Sequence, residues 1–315
     1  MNESGQSIDR SAADGASTPP RRVWNHVLSQ QLTMPTDSTR WLQEPTLIGP
    51  NISHKHLRDA YRTPSALVVS YPRAGRTWVR AMLAHAFEHT LESTSAHPMD
   101  TTGWTRIDTN LPRLILTHGK TNPRFKTPET LPTDHSWAEG QRVLLLVRDP
   151  RDLMVSLWHE RMRRIPLMRR RPAARAISLS DLLRADKGGL RTVIAYYNAW
   201  ARQRDVPKEL LLVKYEHLIE DAALECGRML RWLGVQTAPG SVEEAVRAAR
   251  FETLRRMEVS GRLGYKPTPE LINTPEAMIM RRGVIGGYRD AFTADDHAYA
   301  REMLADLDPL YGYSG

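Results

Sequence analysis

The sequence predicts an α/β chain: a central, mainly parallel sheet with helices on both faces. Three observations lead there. Four apolar runs of strand length alternate with segments whose apolar residues recur at helical spacing, the pattern of βαβ units. The strand candidates are almost wholly apolar, as strands covered on both faces are. The 315 residues, 41% of them hydrophobic, suffice for one large core with a tail or lid.

The elements follow in order. Residues 1–20 are polar, end in two prolines and read as a disordered leader. Residues 21–62 scatter Trp24, Trp41 and Leu57, and read as an irregular or helical segment packing on a domain expected over 63–315. "SALVVSY" (65–71) is the first strand, and the helix after it carries Val79, Met82, Leu83, Ala86 and Phe87 near helical spacing. "RLILTH" (113–118) and "QRVLLLVRD" (141–149) are the second and third strands, the latter followed by the helical "PRDLMVSLWHERM". A long helical segment is expected over 179–204, a fourth strand at "LLLVKY" (210–215), and helices over about 217–233 and 241–257. Gly, Pro and Arg fill 258–292, which reads as a long ordered loop, before a last helix at about 294–307.

Composition narrows the class. No run approaches the ~18 apolar residues of a membrane-spanning helix. Cys226 is the single cysteine, so no intramolecular disulfide or cysteine metal cage is possible, which fits a reducing compartment. The N-terminus lacks the apolar core of a secretory signal, and a cytoplasmic location is expected. The formal net charge is +8, almost all from arginine, since only seven lysines occur. Such a balance suits nucleic acid, an anionic membrane surface or an anionic small ligand.

Two strand-to-helix junctions carry the chemistry. The first strand runs into "YPRAGRTW" (71–78) and a helix. Loop N–H groups and a helix N-terminus there would converge on one anion. Gly75 permits close approach, Thr77 offers a hydroxyl, and Arg73 and Arg76 add charge. The spacing and lysine of a Walker A loop are missing, which disfavours an ATP- or GTP-dependent phosphotransferase. The third strand ends in "LLLVRDPRDLMVSLW" (144–158). Arg148 stands at its C-terminus, where α/β folds bind ligands, and Ser156 follows eight residues later. Taken alone, that stretch reads more readily as an arginine paired with Asp149 or Asp152 and an ordinary helix serine.

Together the two loops resemble those of the sulfotransferases that use 3′-phosphoadenosine 5′-phosphosulfate (PAPS) and release 3′-phosphoadenosine 5′-phosphate (PAP). "YPRAGRTW" is similar to the family's 5′-phosphosulfate loop, and Arg148 with Ser156 to its 3′-phosphate motif. "RRGVIGGYRDAFT" (281–293) resembles the loop that closes over the cofactor, "LTHGK" (116–120) the strand end bearing the catalytic histidine, and Tyr215 a tyrosine of the adenine pocket. The resemblance runs over 65–293 and implies a P-loop-like fold. It implies cofactor contacts from Arg73, Ala74, Gly75, Arg76, Thr77 and Trp78, from Arg148 and Ser156, from Tyr215, and from Arg281, Arg282 and Gly283. It implies His118 as general base, Arg73 stabilising the leaving group, Ser156 restraining Arg73, no metal, and a hydroxylated small molecule, glycan or natural product as acceptor.

The chain departs from the pattern in places. Arg73 replaces a lysine, keeping the charge but not the ability to give up a proton. Ala74 replaces a serine, and Arg76 a threonine. Leu116 stands where a lysine is frequent. The dimer motif of animal cytosolic members is not supported: Arg289, Thr293, Ala294 and Ala298 occupy its positions. The loops look more like those of bacterial members. Seven arginines between 161 and 175 form either a lid over the site or a solvated basic loop. A nucleic-acid surface is the weakest reading, because that run has no aromatics to stack on bases.

Overall fold

The computed structural model describes residues 66–91, 99, 101, 111–170 and 176–313. The expectations for 1–20 and 21–62, and the end of the arginine run at 171–175, lie outside the described residues.

Four strands build one sheet: β1 (Ala66–Ser70), β2 (Leu114–Thr117), β3 (Arg142–Val147) and β4 (Glu209–Lys214). Every pairing is parallel, in the order β2-β1-β3-β4. Parallel strands need crossovers, and helices supply them. α1 (Arg76–Thr90) follows β1, and α2 (Pro150–His159) follows β3. The chain then runs through a π-helical turn, Glu160–Arg164, into α3 (Ile165–Arg169). α4 (Leu179–Arg184) and α5 (Leu190–Arg202) lead to β4; α6 (Tyr215–Glu220), α7 (Ala222–Leu233), α8 (Ser241–Ala248) and α9 (Phe251–Val259) follow it. α10 (Pro269–Ile272) and α11 (Ala294–Leu304) are the last α-helices among the described residues. Strands β1 and β3 are almost completely buried, as their unbroken apolar sequences require.

The register fixes what matters for function. Val69 pairs with Thr117 and Leu145, and Val147 with Lys214. The strands therefore end nearly level. Tyr71, His118, Arg148 and Tyr215 are the first residues past those ends, so one edge of the sheet presents all four.

Several helix expectations are corrected. The segment 179–204 is two helices, because Gly188 and Gly189 pack against backbone where a Cβ would fall 2.3 Å from the Arg124 carbonyl and 2.1 Å from that of Ala185. The helix expected over 241–257 breaks at Ala249–Arg250, and Tyr215 opens a helix instead of ending a strand. The stretch 258–292 is ordered, but holds α10 and a 3-10 turn at Pro275–Ala277.

Glu258 explains that order. Its carboxylate is fully buried and accepts from Arg164 Nη1 (2.9 Å), the backbone N–H of Ile279 (2.7 Å) and Met280 (3.0 Å), and the Tyr265 hydroxyl. A buried carboxylate is tolerable only when paired and bonded in this way. Glu258→Ala would leave the Arg164 guanidinium buried without its counter-charge, and should destabilise the fold by about 3–5 kcal/mol in urea unfolding. An unchanged unfolding midpoint would refute this role.

Candidate active site

The loop after β1 turns through two left-handed residues, Arg73 (φ 73°) and Gly75 (φ 109°). Gly75 is required for a second reason. A Cβ there would stand 2.6 Å from Cδ2 of the Tyr215 ring. Tyr215 meets Trp78 edge-on, with centroids 5.8 Å apart. The Arg148 guanidinium lies 4.3 Å above the same tyrosine ring. One aromatic ring thus locks the ends of β1, β3 and β4 together. Ala74 is buried in the core, and Thr77 is partly buried in the first turn of α1.

The backbone N–H of Arg148 donates to the Tyr197 hydroxyl (3.0 Å), which donates back to the Arg148 carbonyl (2.9 Å). Its Nε is buried with no hydrogen-bond partner. The ordinary alternative of a pair with Asp149 or Asp152 is not what forms. Asp149 caps α2 and holds Arg151 (2.8 Å). Asp152 accepts the backbone N–H groups of Gly286 (2.7 Å) and Tyr288 (2.9 Å). It pins the 281–293 loop to the helix that begins beside Arg148. This residue carries no motif signal of its own, because its partners lie 134 and 136 positions away.

Ser156 is buried, and its hydroxyl accepts from Arg73 Nε (3.1 Å). Glu160 faces Arg73 at 3.8 Å and also binds Arg124. Burial lowers the Arg73 pKa, with Arg164 and Arg148 adding to the effect and Glu160 opposing it. Arg281 is lowered likewise, by burial first and then by Arg282, Arg148 and Arg73. Arg281 therefore stands within the field of Arg73 and Arg148. Arg282 is exposed and faces Asp290 at 3.5 Å. Gly283 takes φ 61° against the Phe251 ring.

His118 is fixed from several sides. Its Nδ1–H donates to the Ser70 carbonyl (2.8 Å), and its own carbonyl accepts from the Tyr196 hydroxyl (3.3 Å). That tautomer leaves the lone pair on Nε2. Arg76 Nη2 lies 2.9 Å from Nε2, and Nη1 lies 3.4 Å from Nδ1. The imidazole is thus covered by a cation. Burial, then Arg76, push the imidazole from 6.5 down to about 3, against the Ser70 bond. A lowered pKa means the ring stays neutral in mild acid. In the ligand-free protein, NMR titration should find His118 neutral at a pH of about 5. A midpoint near 6.5 would show that the ring is neither buried nor covered by Arg76.

The sulfotransferase domain profile matches residues 63–307. Cytosolic sulfotransferase 1 of Danio rerio is 24% identical over 265 residues, covering 78% of this chain and 83% of the relative. Cytosolic sulfotransferase 12 of Arabidopsis thaliana is 25% identical over 299 residues, covering 87% and 85%. A mouse sulfotransferase complexed with PAP has a similar structure, with a TM-score of 0.53 at 16% identity over 81% of this chain and 88% of that one. A retinol dehydratase in complex with retinol and PAP reaches a TM-score of 0.50 at 18% identity, over 80% and 85%. With the profile spanning most of its length, the chain belongs to the sulfotransferase family and is an enzyme that takes its sulfuryl group from PAPS.

Proposed function

We propose that the enzyme sulfates a hydroxyl of a small metabolite, glycan or natural product, with His118 as general base. One observation carries this: the level strand ends put His118, Arg73 with Ser156, and Arg148 against Tyr215 at a single edge of the sheet. The residues fit a doubly phosphorylated adenosine. The buried Nε of Arg148 lacks a partner, as a site for the 3′-phosphate would. Arg281 and the Asp152-pinned loop complete that end. Trp78 and Tyr215 offer aromatic surface for adenine. The first-turn N–H groups of α1, with no side chain capping them, suit the 5′ end.

When bound, PAPS supplies a sulfuryl group whose bond to the 5′-phosphate breaks as sulfur bonds to the acceptor oxygen, leaving PAP. His118 takes the hydroxyl proton at Nε2, since Nδ1 is committed to Ser70. Ser156 holds Arg73 through Nε, and its terminal nitrogens, which Glu160 approaches only to 3.8 Å, meet the developing charge on the leaving oxygen. Arg73 acts by charge alone, because a guanidinium does not give up a proton. Arg282 and Gly283 shape the closing loop. A cytosolic location suits this reading: the relatives are named cytosolic, and no helix among the described residues is long and apolar enough to cross a membrane.

His118→Ala should lower turnover by about 10²–10⁴-fold while calorimetry finds PAP binding intact. Near-normal turnover would remove His118 as the base. Arg148→Ala should weaken PAP by about 10- to 100-fold, the worth of a charge-assisted hydrogen bond, and barely change its 3′-dephospho analogue. Equal losses for both nucleotides would move the 3′ site elsewhere.

A further inference from the structure

Arg76 belongs to the phosphate loop, yet its side chain turns to the end of β2 and lies across His118, with Nη2 2.9 Å from the reactive Nε2. No carboxylate among the described residues is within ion-pair reach of it. Burial lowers the Arg76 pKa to about 10; Tyr196 opposes this, and two further cations, Arg80 and Arg124, add to it. Glu160, the acid paired with Arg124, is shared with Arg73. On the side from which an acceptor must reach Nε2, the protein therefore holds a partly buried guanidinium whose hydrogen-bond partner is the neutral base itself.

Resting on the function proposed above, we infer that the acceptor carries an oxyanion, a carboxylate or phosphate, beside its reacting hydroxyl, and that this group draws Arg76 off His118 to uncover Nε2. The physical case is one of exchange. A neutral alcohol would have to displace Arg76 and leave its charge unpaired in a partly buried site. An anion replaces the imidazole with a bidentate, charge-assisted partner, the geometry a guanidinium fork favours. Departure of Arg76 also removes the second-largest cause depressing His118, so the same event frees the base and strengthens it. The hydroxyl then reaches Nε2 within hydrogen-bond distance, and the anion sits one or two bonds along the acceptor.

The test compares paired acceptors, 3-hydroxybenzoate with 3-hydroxybenzamide and glycerate with glyceramide, in wild type, Arg76→Gln and Arg76→Lys. Wild type should favour each carboxylate at least about tenfold in kcat/KM, the scale of one charged hydrogen bond. Arg76→Gln should abolish the preference by slowing the carboxylate, with PAP affinity little changed, and Arg76→Lys should keep most of it. Equal or better use of the amides by wild type overturns the inference. So does Arg76→Gln losing both acceptors equally together with PAP affinity, which would make Arg76 a donor-side residue. Should no member of the panel turn over, nitrogen NMR of the PAP-bound protein decides: added benzoate should shift the His118 Nε2 resonance in wild type and not in Arg76→Gln, and an unmoved resonance in wild type overturns the inference. Failure of wild type to bind PAP at all would instead defeat the function proposed above.

Discussion

Burial, and after it repulsion from Arg148 and neighbouring arginines, lowers the basicity of Arg73 and Arg281, and only a few acids answer them. A folded chain gains nothing from gathering cations in a partly desolvated crevice. The arrangement makes sense as a site poised for a polyanion, which would repay in binding what the apo protein spends in repulsion. Much of the surrounding structure serves to keep the cations in place without neutralising them. Tyr215 lies beneath Arg148, Ser156 holds Arg73 by a hydroxyl while the shared Glu160 stands 3.8 Å off, and Asp152 spends both oxygens on backbone N–H groups.

The acids that do pair with arginines stand behind this front. Glu258 ties Arg164 to the backbone at Ile279 and Met280, immediately before Arg281. Asp152 takes over just beyond, at Gly286 and Tyr288. The loop carrying Arg281, Arg282 and Gly283 is thus anchored on both sides by buried carboxylates, leaving its middle to meet a ligand. This explains how a stretch rich in glycine, proline and arginine is ordered with little regular structure.

The sheet and the main junctions were legible because their signals are local. Apolar runs such as "ALVVS" and "RVLLLV" cannot be much other than buried strands, and a glycine between a strand and an amphipathic helix marks a tight loop. The link between Arg73 and Ser156 was expected from the family resemblance alone. What escaped was long-range pairing. Nothing around Asp152 or Glu258 announces partners more than a hundred residues or some twenty residues away, respectively. The cover of Arg76 over His118 was hidden for the same reason: a loop arginine reads as donor-side charge until the register of β1 and β2 brings it to the histidine. Helix limits failed where backbone contacts at Gly188 and Gly189, invisible to periodicity, broke the segment in two.

The π-helical turn at Glu160–Arg164 has a consequence for how this region tolerates change. Such a turn houses one residue beyond what an α-helix would use. The surplus sets the phase in which Glu160 meets Arg73 and Arg124 while Arg164 meets Glu258. Shortening the turn by a single residue would restore a regular helical ladder, and local helix formation would even benefit. It would also rotate one of these two contacts out of alignment with the other, uncoupling the loop after β1 from the segment that leads into 281–293. The helix here is wound for its neighbours, at the expense of its own regularity.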